Sequence, residues 1–182
     1  QSHPFPDLWM KEMLSLYENP PSDFEDTIWG AYLLERARSS AKNSLDLLKK
    51  AIQLLEDEPM LSEKYSPVIA GDIQQTEHFL NRSAFGWDEA VKAAAIPVSK
   101  LAPAPRNYPD PEFRDRIKAM RESWKDCWNS IKETLAEPGA VHLSEIRIIV
   151  PALRGLFLAV RRFEDTYKGL KASRGVMDFN DI

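Results

Sequence analysis

Between Ile146 and Leu170 eight apolar residues, Ile146, Ile149, Leu153, Leu156, Val160, Phe163, Tyr167 and Leu170, recur at intervals of three and four. No strand can hold that spacing on one face, because strand side chains alternate with a period of two. The interval keeps every one of these residues on a single stripe of a helix. The rest of the chain repeats the theme. Leu34, Ala37, Ala41, Leu45, Leu48, Ile52 and Leu55 form a second stripe. Phe113, Ile117, Met120, Trp124, Cys127 and Ile131 form a third, spaced as a heptad seam. The predicted fold class is therefore all-α, an irregular multi-helix bundle with its two long C-terminal helices as a spine.

Helix boundaries follow from punctuation. A first helix is predicted over about residues 7–17, closed by the "ENPPSD" stretch. A second runs from Phe24 to Asp57, capped by Ser22 or Asp23 and ended by "EDEP". A third spans 67–82 with Ile69, Ile73, Thr76 and Leu80 on one face, and a short fourth spans 87–96. Residues 97–111, "PVSKLAPAPRNYPDP", have five prolines and no helical period. They read as an extended surface connection, with a proline-rich recognition segment as the sharper alternative. The fifth helix covers 111–136 and is stopped by "EPGA"; the sixth covers 144–172, with Pro151 kinking its first turn or marking its true start. Residues 1–182 read as one helical subdomain.

Several chemistries are disfavoured by the residues present. The sequence has neither G-x-x-x-x-G-K-[ST] nor G-x-G-x-x-G, so no phosphate-cradling loop is predicted. His3, His78 and His142 lie far apart without the spacing of a zinc site. Cys127 is the only cysteine. It has no disulfide partner, sits between Trp124 and Trp128, and reads as a buried inert thiol in a reducing, cytoplasmic setting. "LLEDEP" reads as a helix end in preference to an acidic metal site. No apolar run reaches the roughly 20 residues that span a bilayer, and no signal-peptide pattern is present. The residues alone assign no catalytic group and no metal ligand.

Charge is more informative. The net of −4 divides into −8 over residues 1–91 and +4 over residues 92–182. On the sixth helix Arg147, Arg154, Arg161 and Lys168 recur every seven residues beside the apolar stripe. On the fifth, Arg114, Lys118, Arg121, Lys125 and Lys132 follow one flank. Such stripes can track a phosphate backbone. They can equally be solvated faces laced with ion pairs, as Asp115, Glu122, Asp126 and Glu133 suggest on the fifth helix. No aromatic platform is seen to interleave with these bases as in single-strand binders.

The final stretch, "FEDTYKGLKASRGVMDFNDI", is similar to a segment of UvrD-like superfamily 1 DNA helicases. There a helix patterned F…Y…K…G precedes "LDFDDL". Phe163, Tyr167, Lys171, Gly175, Met177, Asp178, Phe179, Asp181 and Ile182 carry the match; Asn180 and Ile182 depart from the usual Asp and Leu. The preceding residues resemble the helical insertion, subdomain 1B, of AddA subunits of bacterial AddAB helicase–nucleases, kin of RecB. The resemblance implies an accessory piece of an ATP-dependent DNA helicase/exonuclease of double-strand-break repair and recombination. It implies contact with DNA, packing on the parent's other domains and an AddB-like partner subunit, with ATP and magnesium held by the parent and no complete active site here. It gives Arg147, Arg154, Arg161, Lys168 and Lys171 a motive as DNA contacts. Tyr167, Lys171, Gly175, Asp178, Phe179 and Asp181 become a structural hinge, residues 175–182 starting the return into the motor domain. Within that segment Gly175 caps the sixth helix and Asp178 opens another. The competing reading is a free-standing helical interaction module unrelated to helicases.

Overall fold

A computed structural model describes residues 6–177. Asp178, Phe179 and Asp181 of the C-terminal motif lie outside the described residues. Among the described residues six α-helices and two 3-10 turns make up the regular structure: α1 (Pro6–Glu18), α2 (Ile28–Leu55), α3 (Pro59–Arg82), α4 (Trp87–Ala94), α5 (Pro111–Thr134) and α6 (Gly139–Arg174). No strand occurs among the described residues, and the all-α class holds. The chain packs as two units. One is Ser22–His142; the other joins α1 to the part of α6 that begins at Leu143.

The larger unit has the main core, where α2 packs on both α3 and α5. Of the predicted α2 stripe, Leu34, Ala37, Ala41, Leu45, Leu48 and Leu55 are buried. On α5, Ile117, Trp124 and Ile131 are buried as the heptad spacing requires, and Trp128 joins them. Trp124 and Trp128 stack at 5.8 Å, while Phe79 meets Trp128 edge-on at 5.6 Å. Trp124 Nε1 donates to Thr76 Oγ1 at 2.9 Å, and that hydroxyl donates to the Asp72 carbonyl at 2.8 Å. Aromatic bulk and the Trp124–Thr76–Asp72 hydrogen-bond chain thus lock α3 to α5. Within this unit the packing is centred on α2, which meets both α3 and α5.

Three boundaries differ from expectation. Residues Phe24–Asp26 form a separate 3-10 turn, and Thr27, in place of Ser22 or Asp23, caps α2. Its hydroxyl donates to the Phe24 carbonyl at 2.7 Å and accepts from Gly30 N at 2.9 Å, supplying one of the free first-turn amides with a partner. Helix α3 starts eight residues early, at Pro59. Proline at the first helical position loses no hydrogen bond and its φ is already helical, so a residue read as a stop is a start; Pro67 lies in the helix interior. Helix α6 likewise begins at Gly139 and carries Pro151 internally. Asp88 fixes that start by accepting from Gly139 N at 2.8 Å, and Trp87 Nε1 donates to the Glu137 carbonyl at 2.9 Å.

The proline-rich segment between α4 and α5 has no regular structure but is fastened. Gln75 donates to the Ile96 carbonyl at 2.9 Å, Arg121 to the Ser99 carbonyl at 2.6 Å, and buried Tyr108 to Glu58 Oε2 at 2.9 Å. Burial, with Glu58 as hydrogen-bond acceptor, pushes the Tyr108 phenol up to about 12. Asp110 then caps α5 by accepting from Phe113 N at 2.9 Å.

In the smaller unit, α1 lies beside α6, with Trp9 and Phe157 rings at 6.4 Å. Gly175 closes α6 with φ +62°. Gly175 N donates to the Ala172 carbonyl and Val176 N to the Lys171 carbonyl, the paired bonds of a Schellman ending that favours glycine.

Candidate nucleic-acid interface

The α5 basic flank does not survive as one surface. Arg121 is in the core, its side chain 6% exposed against 2% for Asp72. Arg121 Nε donates to Asp72 Oδ2 at 2.6 Å and Nη2 to Oδ1 at 3.3 Å. Burial raises the Asp72 carboxyl above the ordinary carboxylate range even though the guanidinium opposes it. Arg114 pairs with its neighbour Asp115, and Lys125 with Glu122 one helical turn away. The ion-pair alternative applies here, and Arg121 is structural.

The α6 stripe is solvent-facing. Arg147, Arg154, Arg161 and Lys168 are all exposed, and Lys171 is half-buried. Arg154 Nε lies 2.6 Å from Glu18, Arg161 3.0 Å from Asp7, and Lys168 2.7 Å from Glu164. Helix α1 thus lends two acids to a row of bases. The Arg154 and Arg161 side chains remain 61% and 52% exposed. Pairs this open contribute about 0–1 kcal/mol, so a phosphate could replace either carboxylate at small cost. Arg121, by contrast, cannot be recruited without emptying the core.

The apolar stripe of α6 is largely uncovered. Ile149 is 48% exposed, Leu156 56%, Phe163 71% and Leu170 48%. Among the described residues α1 covers a neighbouring face instead, where Met10, Leu14, Phe157 and Leu158 line a cavity with Arg154 and Arg161. Near the C-terminal end of α6, Phe163 and Tyr167 stack with ring centroids 6.0 Å apart and planes within 6°. Lys171 Nζ lies 4.8 Å from the Tyr167 ring centroid. A stacked aromatic pair therefore adjoins Lys171. Its signal is present in the sequence, aromatic residues four apart with Lys four further on, but the same spacing reads equally as core.

Cys127 is half-buried, donates to the Ser40 carbonyl at 3.4 Å, and burial pushes its thiol up. No group of three or more His, Cys, Asp and Glu able to hold a metal occurs among the described residues. No helix among them is long and apolar enough to cross a membrane.

No protein-family profile matches the chain. Individual relatives do. It is 26% identical over 185 residues to the AddA subunit of the ATP-dependent helicase/nuclease of Alkaliphilus metalliredigens and 27% over 186 residues to that of Desulforamulus reducens. The protein of the same name from Acetivibrio thermocellus is 25% identical over 190 residues. Each alignment takes in 100% of this chain and 15% of the relative. The likeness read from the C-terminal motif therefore extends through every helix, and the chain is, along its whole length, a homologue of one small stretch of the AddA proteins, which are subunits of ATP-dependent helicase/nucleases.

Proposed function

We propose that the chain acts as an accessory helical subdomain, of the 1B type, inserted in a larger ATP-dependent DNA helicase/exonuclease of double-strand-break repair and recombination. It contacts DNA through the basic row of α6 and packs on the parent's motor domain through the apolar stripe. The observation that carries the reading is the alignment of the entire chain with 15% of helicase/nuclease subunits. One feature supports it. A stripe of large apolar side chains this exposed marks a surface for another protein surface to cover.

ATP and magnesium belong to the parent in this reading. The residues present do not fit them, since the sequence lacks a phosphate loop. The AddB-like partner and the hinge role of Tyr167, Lys171, Gly175, Asp178, Phe179 and Asp181 belong to the same proposal.

The test is salt-dependent binding of duplex DNA, with the triple reversal Arg154→Glu, Arg161→Glu, Lys168→Glu as comparison. The reading expects affinity to fall steeply as salt rises from roughly 50 to 200 mM, and to vanish in the reversed protein. Unchanged affinity in the reversed protein would refute the DNA contact.

A further inference from the structure

The 3-10 turn Ser83–Phe85 holds an aromatic ring out in solvent, with Phe85 73% exposed. The backbone beneath the ring is anchored. Arg38 donates through Nη2 to the Ser83 carbonyl and through Nε to the Ser83 hydroxyl, the latter at 3.2 Å. The Arg82 guanidinium lies 5.5 Å from the Phe85 ring centroid and is itself paired with Glu89. Beside the ring opens a cavity of about 420 Å³, whose lining includes Glu25, Leu34, Glu35, Arg38, Phe85 and Gly86. The Glu25 carboxylate lies against Gly86, where any Cβ would displace it.

The surroundings are acidic. Asp23, Glu25 and Asp26 lie on or beside one short turn, and among the described residues none of the three forms an ion pair. Glu35 has Arg38 only at 3.9 Å, since that guanidinium is turned to Ser83. Ile28 and Tyr32, both exposed, stand on the α2 face that carries Glu35, at helical spacing.

We infer that this face docks a basic segment of another protein. An arginine or lysine side chain enters the cavity between the Glu25 carboxylate and the Phe85 ring, and apolar neighbours lie over Tyr32 and Ile28. Charge complementarity names the occupant. An anionic partner, DNA included, would meet Asp23, Glu25, Asp26 and Glu35. A wholly apolar one would cut Glu25 off from water without a counter-charge. A cation on a flexible stem suits every wall, its head for carboxylate and ring and its methylenes for Leu34. Anchoring of the turn makes the ring a rigid contact, so little freedom is lost on binding. The face belongs to the larger unit, whereas the proposed DNA row belongs to the smaller, so the two inferences stand or fall separately.

The experiment titrates the full chain into fluorescein-labelled peptides of about ten residues at about 150 mM salt and reads anisotropy. One peptide alternates arginine with leucine, the other arginine with serine, so their charges are equal. The leucine peptide should bind at least about tenfold more tightly. Phe85→Ala should remove most of that preference and leave duplex affinity unchanged. Glu25→Gln combined with Glu35→Gln should weaken both peptides and flatten their salt dependence. These side chains lie at the surface, so circular dichroism should not change. No binding of either peptide, equal affinity for the two, or a preference that survives Phe85→Ala would overturn the inference and leave the proposed DNA contact standing. Loss of duplex binding in Phe85→Ala would overturn it by giving the ring to DNA. Concentration-dependent self-association abolished by Phe85→Ala would overturn it by making the occupant a second copy of this chain.

Discussion

Replacing Arg121 by methionine should be among the most damaging single changes in the chain, although Arg121 stands on a helix face that reads as polar. The guanidinium supplies both donors to Asp72, at 2.6 and 3.3 Å, where the carboxylate is 2% exposed. Removing it strands a charge in the core, which costs about 3–5 kcal/mol. For a chain of this size that corresponds to a melting temperature lower by roughly 10 °C. The double variant Asp72→Leu, Arg121→Met removes both charges and should recover most of the loss; the Ser99 carbonyl it releases belongs to an exposed residue and can turn to water. Acidification separates this mechanism from simple loss of packing. Burial already raises the Asp72 carboxyl, and without Arg121 it rises further. For a carboxyl raised in the folded state, the associated stability is complete below its unfolded value and disappears as pH climbs through the folded one. The Arg121→Met penalty should therefore shrink as pH falls from neutrality toward the ordinary Asp value of about 3.9. Urea unfolding followed by circular dichroism measures all three quantities. A single-variant loss below about 1 kcal/mol, or a penalty that grows on acidification, would refute the reasoning.

Three further outcomes are expected. Gly86→Ala should destabilise by about 1–3 kcal/mol, because φ +115° with ψ near 180° is a region essentially confined to glycine and a Cβ there would also meet the Glu25 carboxylate; thermal unfolding reads it. Cys127 should react with a thiol reagent at neutral pH more slowly than a free cysteine and approach that rate only on unfolding, since burial raises its thiol. Glu18→Gln should change stability by less than about 1 kcal/mol yet tighten duplex binding, because it releases Arg154 from its carboxylate partner; unchanged or weaker binding at low salt would count against Arg154 as a phosphate contact.

The sequence discloses what a helix can disclose about itself. The α2 stripe is legible because Leu34, Ala37, Ala41, Leu45, Leu48 and Leu55 are both periodic and buried. Periodicity names an apolar side; it does not say whether anything covers it. That is why the equally regular stripe on α6 can be exposed at Leu156 and Phe163. Arg121 and Asp72 escape a sequence reading for the complementary reason. Each is polar by type, and only the meeting of positions 49 residues apart shows that each makes the other's burial tolerable. Pro59 shows a third limit, since one residue type ends one helix and begins the next, and its place relative to the cap decides which. Of the candidate site, the basic row of α6 is readable from spacing, whereas its acidic partners Asp7 and Glu18 lie on another helix far away in sequence.

The fastened proline-rich segment has a consequence for how it can evolve and be handled. Three hydrogen bonds tie it to α3, to α5 and to the residue preceding α3, so it works as a brace between helices and its length is set by the distance between its anchors. A protease needs several residues of backbone drawn out into its cleft, and extraction here requires Arg121, Gln75 or Tyr108 to let go first. A partner that reads polyproline would face the same toll. Any molecule that seized this segment would loosen the Arg121 pair, so capture at the surface would be felt as a softening of the core.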